Sequence, residues 1–240
     1  FALSACSTHT QLTSGNDYLS RSKVFSGDAF ISSSPEIDAQ IRSIAAVEPN
    51  LQFPARIGLA RIDKGRLSNA SADELMIWSD LAARLGPQTG EFVPVSPFIA
   101  SMVRPQTYNA KRDNTVDDIR RASARQHLDY VLVYEITNVS DYESNALALA
   151  DLTILGMFVV PGRNVKVDST ASAILLDVRN GYPYGTASAF ADANSIATAR
   201  AARDKRQNLS TRTDLKATEN LSAKIETLFQ DLRTELSAKR

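Results

Sequence analysis

Apolar residues recur along this chain with two different periods, and each period predicts one type of element. A spacing of three or four residues predicts amphipathic helices that start at Pro35, Ser71 and Thr115, and a last helix over about 214–238. Ser71 also begins a capping box, since Glu74 follows it by three positions. The apolar face of the first helix comprises Ile37, Ile41, Ile44 and Ala45, and that of the last comprises Leu221, Ile225, Leu228, Leu232 and Leu236.

Shorter apolar runs, continuous or alternating, predict five strands. These strands are 53–62, 92–95, 130–136, 165–178 and 182–191. The third is apolar on both faces except at Glu135, which is typical of a central strand. Asn180-Gly181 separates the last two and predicts a hairpin with a type I′ turn. Because elements alternate early and turn antiparallel late, the pattern predicts an α/β domain with a mixed sheet flanked by helices.

The pattern also divides the chain into an N-terminal tether and one domain. Residues 7–34 are rich in Ser, Thr, Gly and Asn and have little periodicity, so we interpret 1–34 as a signal remnant plus a flexible tether and 35–240 as the domain. The longest apolar run, 145–160, is interrupted by Asp151 and is short for a membrane helix, which needs about 20 apolar residues. It predicts a buried helix or strand, and a membrane-inserting hairpin is the alternative.

A lone cysteine close to the N-terminus predicts a lipid anchor. Cys6 is the only cysteine in the chain and follows Leu3-Ser4-Ala5, the residue pattern at which bacterial lipoprotein signal peptides are cleaved. Acylation would place the protein on a membrane, and Ser7 rather than Asp after the cysteine favours the outer membrane facing the periplasm. The alternative is an ordinary loop cysteine.

Several segments resemble a known family of envelope proteins. PARIGLA (54–60), DYVLVYEI (129–136), LTILGMFVVPG (152–162) and STASAILLDV (169–178) are similar in order and spacing to the rhombotarget lipoproteins of bacteria. Members of that family carry a C-terminal sorting tail, whereas this chain ends in an amphipathic charged helix. The resemblance therefore implies a bacterial envelope lipoprotein without implying processing by rhombosortase, and it brings no catalytic residues. The order of elements is also similar to lipoproteins of the curli-secretion-channel and penicillin-binding-protein-activator type, whose sheets bind partners.

Composition and motifs argue against several functions. Lys+Arg and Asp+Glu number 27 each, so no net charge attracts nucleic acid. One cysteine and two histidines, His9 in the tether and His127 at a helix end, offer no metal-ligand spacing. The chain has no nucleophile elbow and no glycine-rich phosphate loop, and its Ser-x-x-Lys spacing, Ser20 to Lys23, falls in the predicted tether, so we expect no cofactor and no catalytic residues.

Two functional hypotheses from different classes remain. The first is a non-catalytic binding or assembly module whose partner is another envelope protein or a second copy. Its candidate surfaces are the apolar stripe of the last helix and Asp151. For the stripe, the alternative is that it packs on the sheet of its own chain. For Asp151, the alternative is a structural position in a loop or at a helix cap. The second is an envelope hydrolase, which requires a cleft that holds Asp or Glu with a perturbed pKa. Basic residues such as Arg120, Arg121 and Arg203 are either solvated faces or contacts to anionic headgroups.

Overall fold

The computed structural model describes residues 8–21, 35–104, 115–144, 163–197 and 202–239. Within these ranges the protein is mixed α/β, with one seven-stranded mixed sheet and six helices, which confirms the predicted fold class. The helices are α1 (Gly15–Arg21), α2 (Pro35–Ala45), α3 (Ala72–Leu85), α4 (Pro97–Val103), α5 (Thr115–Arg125) and α6 (Ala202–Ala238). The strands are β1 (Thr8–Thr10), β2 (Ala55–Asp63), β3 (Arg66–Ser68), β4 (Gly90–Pro94), β5 (Tyr130–Ser144), β6 (Arg163–Asp177) and β7 (Pro183–Ala197).

The sheet has the order β1-β7-β6-β5-β2-β3, and β4 pairs with β2 as well. β2 runs parallel to β4 and β5, and the other pairs are antiparallel. β5 pairs with β2 on one side and with β6 on the other, so the prediction of a central strand is confirmed. Its apolar sequence follows from this position, because helices cover both of its faces.

Two apolar cores lie on opposite faces of the sheet. One contains side chains of α3 and α6 together with Leu132 and Tyr134 of β5, and Trp78 of α3 lies in it without exposure. The other contains Ile119 of α5 with Val131 and other residues of β5. Alternate residues of β5 therefore enter opposite cores, as the period of two of a strand requires.

Helix α6 begins at Ala202, well before the predicted start near Asp214, and its apolar stripe is buried. Leu221, Ile225, Leu228 and Leu232 have no exposed surface, and Leu236 packs against the same core. This burial corrects the interpretation of the stripe as a partner surface, because its side chains already contact the sheet of their own chain. The alternative, packing on its own sheet, is what the structure shows.

Part of the predicted tether belongs to the folded domain. β1 pairs antiparallel with β7, with Thr8 opposite Ala187 and Thr10 opposite Gly185. Leu12 is buried in the main core, and α1 follows directly. The assignment of residues 8–21 to a flexible tether is therefore wrong. A short polar strand gives no periodic signal, which is why the sequence did not reveal it.

The predicted hairpin is present, but its turn is longer than predicted. β6 ends at Asp177 and β7 begins at Pro183, and only Gly181 in the connection has a positive φ, of 77°. The Asp177 carboxylate accepts hydrogen bonds from the amides of Arg179 and Asn180 at 2.8 and 3.2 Å. A type I′ turn needs positive φ at both central residues, so the turn type is corrected to this carboxylate-supported loop.

The buried stripe of α6 predicts a large effect of truncation on stability. We expect Leu228→Ala to lower the free energy of unfolding by about 2–5 kcal/mol, because it opens a cavity at a fully buried position. Urea denaturation measures this. Leu236→Ala is the matched control on the same helix face, and its partial exposure predicts a smaller loss. A change within about 0.5 kcal/mol for Leu228→Ala would instead indicate a side chain that is free to meet a partner.

Candidate binding surface

Helix α2 exposes an apolar face to solvent. Ile37, Ile41 and Ile44 are 51%, 53% and 76% exposed and share the face that the sequence predicted. Scattered exposed apolar residues are normal, but three at helical spacing on one short helix form a contiguous patch. We refer to these three exposed residues of α2, Ile37, Ile41 and Ile44, as the isoleucine stripe.

A cleft of about 760 Å³ lies between this helix, α1 and the turn that connects β6 to β7. Its apolar walls are formed by Tyr18, Ile41, Ile44, Val47, Tyr182 and Pro183. Its polar lining residues include Gln11, Arg120 and Asn180. This size is within the range of ligand and peptide sites, and its lining is mainly apolar. The isoleucine stripe thus continues directly into a concave surface.

Helix α1 is held against the end of α2 by a carboxylate and by a glycine. The Glu48 carboxylate accepts hydrogen bonds from the Asn16 amide at 2.9 Å and the Ser14 hydroxyl at 3.1 Å. The Asn16 amide and the Ser14 hydroxyl lower the pKa of Glu48, since both stabilise its charged form. At Gly15 a Cβ would lie 2.2 Å from the Ala45 carbonyl oxygen, so only glycine allows this approach. One wall of the cleft is therefore firmly positioned.

Arg120 of α5 supports the opposite wall. Its guanidinium donates to the carbonyl oxygens of Val178 and Arg179 at 3.3 and 3.1 Å. It also lies over Gly181, where a Cβ would meet the guanidinium carbon at 3.1 Å. These contacts fix the loop between β6 and β7 at the cleft margin. The basic side chain of Arg120 therefore stabilises this loop in addition to lining the cleft.

The buried carboxylates serve structural networks. Glu74 accepts two hydrogen bonds from Arg61 at 3.0 and 3.1 Å and one from the Tyr134 hydroxyl at 2.8 Å. Ser71 caps α3 by accepting from the Glu74 amide at 3.2 Å, so one half of the capping box is confirmed. The Glu74 side chain, however, reaches the sheet rather than the Ser71 amide. Asp118 is likewise enclosed, by ion pairs to Arg104 and Arg121.

The two histidines lie in a strand and at a helix end. His9 lies in β1 opposite Thr186 and is exposed. His127 ends α5 with a positive φ of 57°, while its amide donates to the Ala124 carbonyl and the next amide, of Leu128, donates to Ser123. This pair of hydrogen bonds is the Schellman motif, in which glycine usually takes the position of His127. The prediction that His127 stands at a helix end is confirmed.

Cys6 and Asp151, which the sequence predicts as site residues, lie outside the described residues. Within the described ranges, no group of three or more His, Cys, Asp or Glu side chains is placed to hold a metal ion. No helix in the described part of the chain combines the length and the apolar character needed to cross a bilayer. The long apolar run at 145–160 is not among the residues on which that finding rests.

Comparisons with known proteins found similarity to solved structures only. No family model matches the chain, and no curated protein does. A minor lipoprotein from Acinetobacter baumannii has 11% identity and a TM-score of 0.38, with 76% of this chain and 96% of that chain covered. The rare lipoprotein B from Shewanella oneidensis has 10% identity and a TM-score of 0.31, covering 77% of this chain and 99% of that one. The PelC dodecamer from Paraburkholderia phytofirmans has 12% identity and a TM-score of 0.31, with 72% and 91% covered.

Two of these three structures are described as lipoproteins, but the similarity is too distant to carry an argument about this chain. The TM-scores lie well below the value at which two chains share one overall fold. The resemblance to the rhombotarget lipoproteins therefore stays a prediction, and the function has to be argued from the protein's own residues.

The Schellman motif at His127 predicts a stabilising substitution. We expect His127→Gly to raise the free energy of unfolding by up to about 1 kcal/mol, because glycine has no Cβ penalty at positive φ. Thermal and urea unfolding measure this. His127→Ala retains a Cβ at positive φ, so it is the control, and we expect it to give no increase in the free energy of unfolding. A loss of stability in His127→Gly would show that the imidazole makes a contact of its own.

The buried tyrosines predict an alkaline limit to stability. Burial is the main cause that raises the pKa of Tyr134 and Tyr184, and the carboxylates of Glu74 and Asp177 add to it. Burial also raises the pKa of Tyr130 and Tyr182. Below pH about 10 these phenols are protonated in both states, and stability is unaffected.

Above that pH the unfolded state loses phenol protons that the folded state keeps. The free energy of unfolding should therefore fall with rising pH by about 1.4 kcal/mol per pH unit for each of Tyr134 and Tyr184, whose pKa values are raised most. Urea titrations at successive alkaline pH values measure the slope, and phenolate absorbance should rise together with unfolding. Phenolate absorbance that develops fully while the protein is still folded would contradict the raised pKa values.

Proposed function

We propose that this protein is a bacterial cell-envelope lipoprotein and that it acts as a non-catalytic binding or assembly module. In this proposal Cys6 carries the lipid, and the folded body lies on the periplasmic side of the outer membrane. The observation that carries the binding role is the isoleucine stripe with its adjoining cleft, an apolar surface that offers contacts but no reacting groups. Apolar surfaces of this kind mark sites of interaction.

The position of β1 specifies how the anchor would hold the body. Cys6 precedes Thr8 by two residues, and Thr8 is already paired in the sheet. Two residues span at most about 7 Å. A lipid on Cys6 would therefore keep the domain close to the headgroups, in contrast to the long tether that the sequence predicted.

The same strand gives the cleft a direction relative to the anchor. Thr8 pairs with Ala187, whereas Pro183 of the same strand β7 lines the cleft. These two positions are about 13 Å apart along β7. Since β1 runs towards the cleft from Thr8, the anchor would attach at the end of β1 that points away from it. The apolar surface is then presented to the aqueous side.

The hydrolase hypothesis has a specific requirement that this cleft does not provide. The hypothesis requires Asp or Glu with a perturbed pKa inside a cleft. The described residues that line the cleft include no Asp, Glu, His or Cys. Glu48, which lies close by, has a lowered pKa because the Asn16 amide and the Ser14 hydroxyl at the start of α1 donate to it, so its charge is used to hold this helix. We therefore keep the binding role as the proposal.

The anchor can be tested on the protein made in a bacterial host with its signal peptide. We expect mass spectrometry of the mature N-terminus to show an acylated Cys6 and the protein to enter the detergent phase on Triton X-114 extraction. Cys6→Ser should move it to the aqueous phase. Ser7→Asp is the matched variant: it should keep the lipid and shift the protein from outer-membrane to inner-membrane fractions. An unmodified Cys6 thiol in a wild-type protein that stays aqueous would overturn the proposal.

A further inference from the structure

The isoleucine stripe has the pattern of a helix-packing surface. Ile37, Ile41 and Ile44 are spaced by four and then three residues, the spacing that aligns side chains in packed helix pairs. Each is at least half exposed. Their burial by another helix would remove apolar surface from water, at about 25 cal/mol per Å².

The charges of α2 make the helix complementary to itself. Its first turn is acidic, through Glu36 and Asp38, and its last turn is basic, through Arg42. When two such helices pack antiparallel, the acidic turn of each lies beside the basic turn of the other. The helix dipoles then also oppose each other favourably. We propose that α2 forms a two-fold contact between two copies of this chain, packed antiparallel through the isoleucine stripe.

The cleft adds to the same contact. Ile41 and Ile44 line it, and so does Tyr18 of α1, which is 58% exposed. In a two-fold contact the same surface serves both copies, so the stripe of each copy meets the other copy's stripe and cleft margin. A convex stripe beside a concave apolar surface is the shape that such a self-complementary contact needs.

A lipid bilayer is a less suitable partner for α2 than a second copy of the chain. Helices that lie in the membrane interface are rich in Lys and Arg on the polar face. α2 instead has two acidic residues and one basic residue, so its net charge is about −1, from +1 and −2. An anionic headgroup layer would repel it. The direction of β1 also places the helix away from the end at which a lipid on Cys6 would attach.

The contact is small, and this sets the expected strength. One eleven-residue helix and the margin of a cleft bury less than a standard interface of about 1,600 Å². We therefore expect a reversible dimer whose population depends on concentration. Sedimentation velocity and light scattering of the full chain as Cys6→Ser, which removes any lipid, should show the mass rising from monomer to dimer with concentration.

Two substitutions of an exposed apolar residue by Asp distinguish a specific contact through the isoleucine stripe from nonspecific association. Ile41→Asp should abolish the concentration-dependent rise in mass. Met76→Asp changes an apolar residue of similar exposure, 59% against 53%, on the surface of α3, and it should leave the rise unchanged. Circular dichroism and urea unfolding verify that both variants fold, since neither site is buried.

A charge exchange tests the antiparallel arrangement. Arg42→Asp makes α2 wholly acidic, and Glu36→Lys with Asp38→Lys makes it wholly basic. Each variant alone should lose self-association, because like charges meet in the contact. An equimolar mixture should recover the dimer, as the acidic helix packs on the basic one.

Three results would overturn the inference: a wild-type chain that stays monomeric at every concentration, an Ile41→Asp chain that associates as the wild type does, and mixed charge variants that do not recover the dimer. All measurements are made without a lipid, so they are independent of whether Cys6 is acylated. A failure here would leave the anchor as proposed, and a failure of the anchor would leave this contact intact.

Discussion

The burial of α6 against the sheet is the interaction on which the rest of the structure depends. Four apolar side chains of its stripe have no exposed surface, and they cover β5, β6 and β7 where these strands pair with one another. Burial of one such side chain contributes about 1.5–3 kcal/mol, so the stripe outweighs any single polar contact in the protein. Its C-terminal end also holds the N-terminal segment, since Thr10 donates to Glu235 at 2.7 Å and Lys239 donates to the Leu12 carbonyl.

A tyrosine network extends this support to the exposed helix. The Tyr184 hydroxyl donates to Asp177 at 3.0 Å and accepts from the Asn50 amide at 3.0 Å, and the Tyr130 hydroxyl donates to the Asn50 carbonyl at 2.9 Å. Asn50 belongs to the segment that leads from α2 to β2. The C-terminal end of α2 is therefore tied to the buried sheet through Asn50 and, by Glu48, to α1. The isoleucine stripe is exposed on a helix whose C-terminal end is held by the core.

Much of the fold could be predicted from the sequence because burial imposes a period. The strands near 55–63, 130–144 and 163–177 are apolar where they enter the two cores, and the stripe of α6 follows the helical period. Polar segments gave no such signal. The first turns of α6 are polar, so its start was predicted too late, and β1 is three polar residues whose pairing depends on β7 far along the chain. The candidate site shows the same limit: α2 and α6 have similar apolar stripes in the sequence, but only the stripe of α6 meets a sheet. Periodicity identifies an apolar face without identifying what covers it.

The two proposals together place geometric limits on an assembly at a membrane. Copies whose lipids share one leaflet can be related by a two-fold axis only if that axis is along the membrane normal. An antiparallel contact of α2 satisfies this when the helix lies parallel to the surface, with the Thr8 end of β1 in each copy facing the headgroups. Confinement to a surface also raises the effective concentration of each copy for the other, as linkage does for two binding modules. A contact that is too small to persist in dilute solution can thus be substantially populated on the membrane, because confinement has already removed much of the translational freedom that association costs.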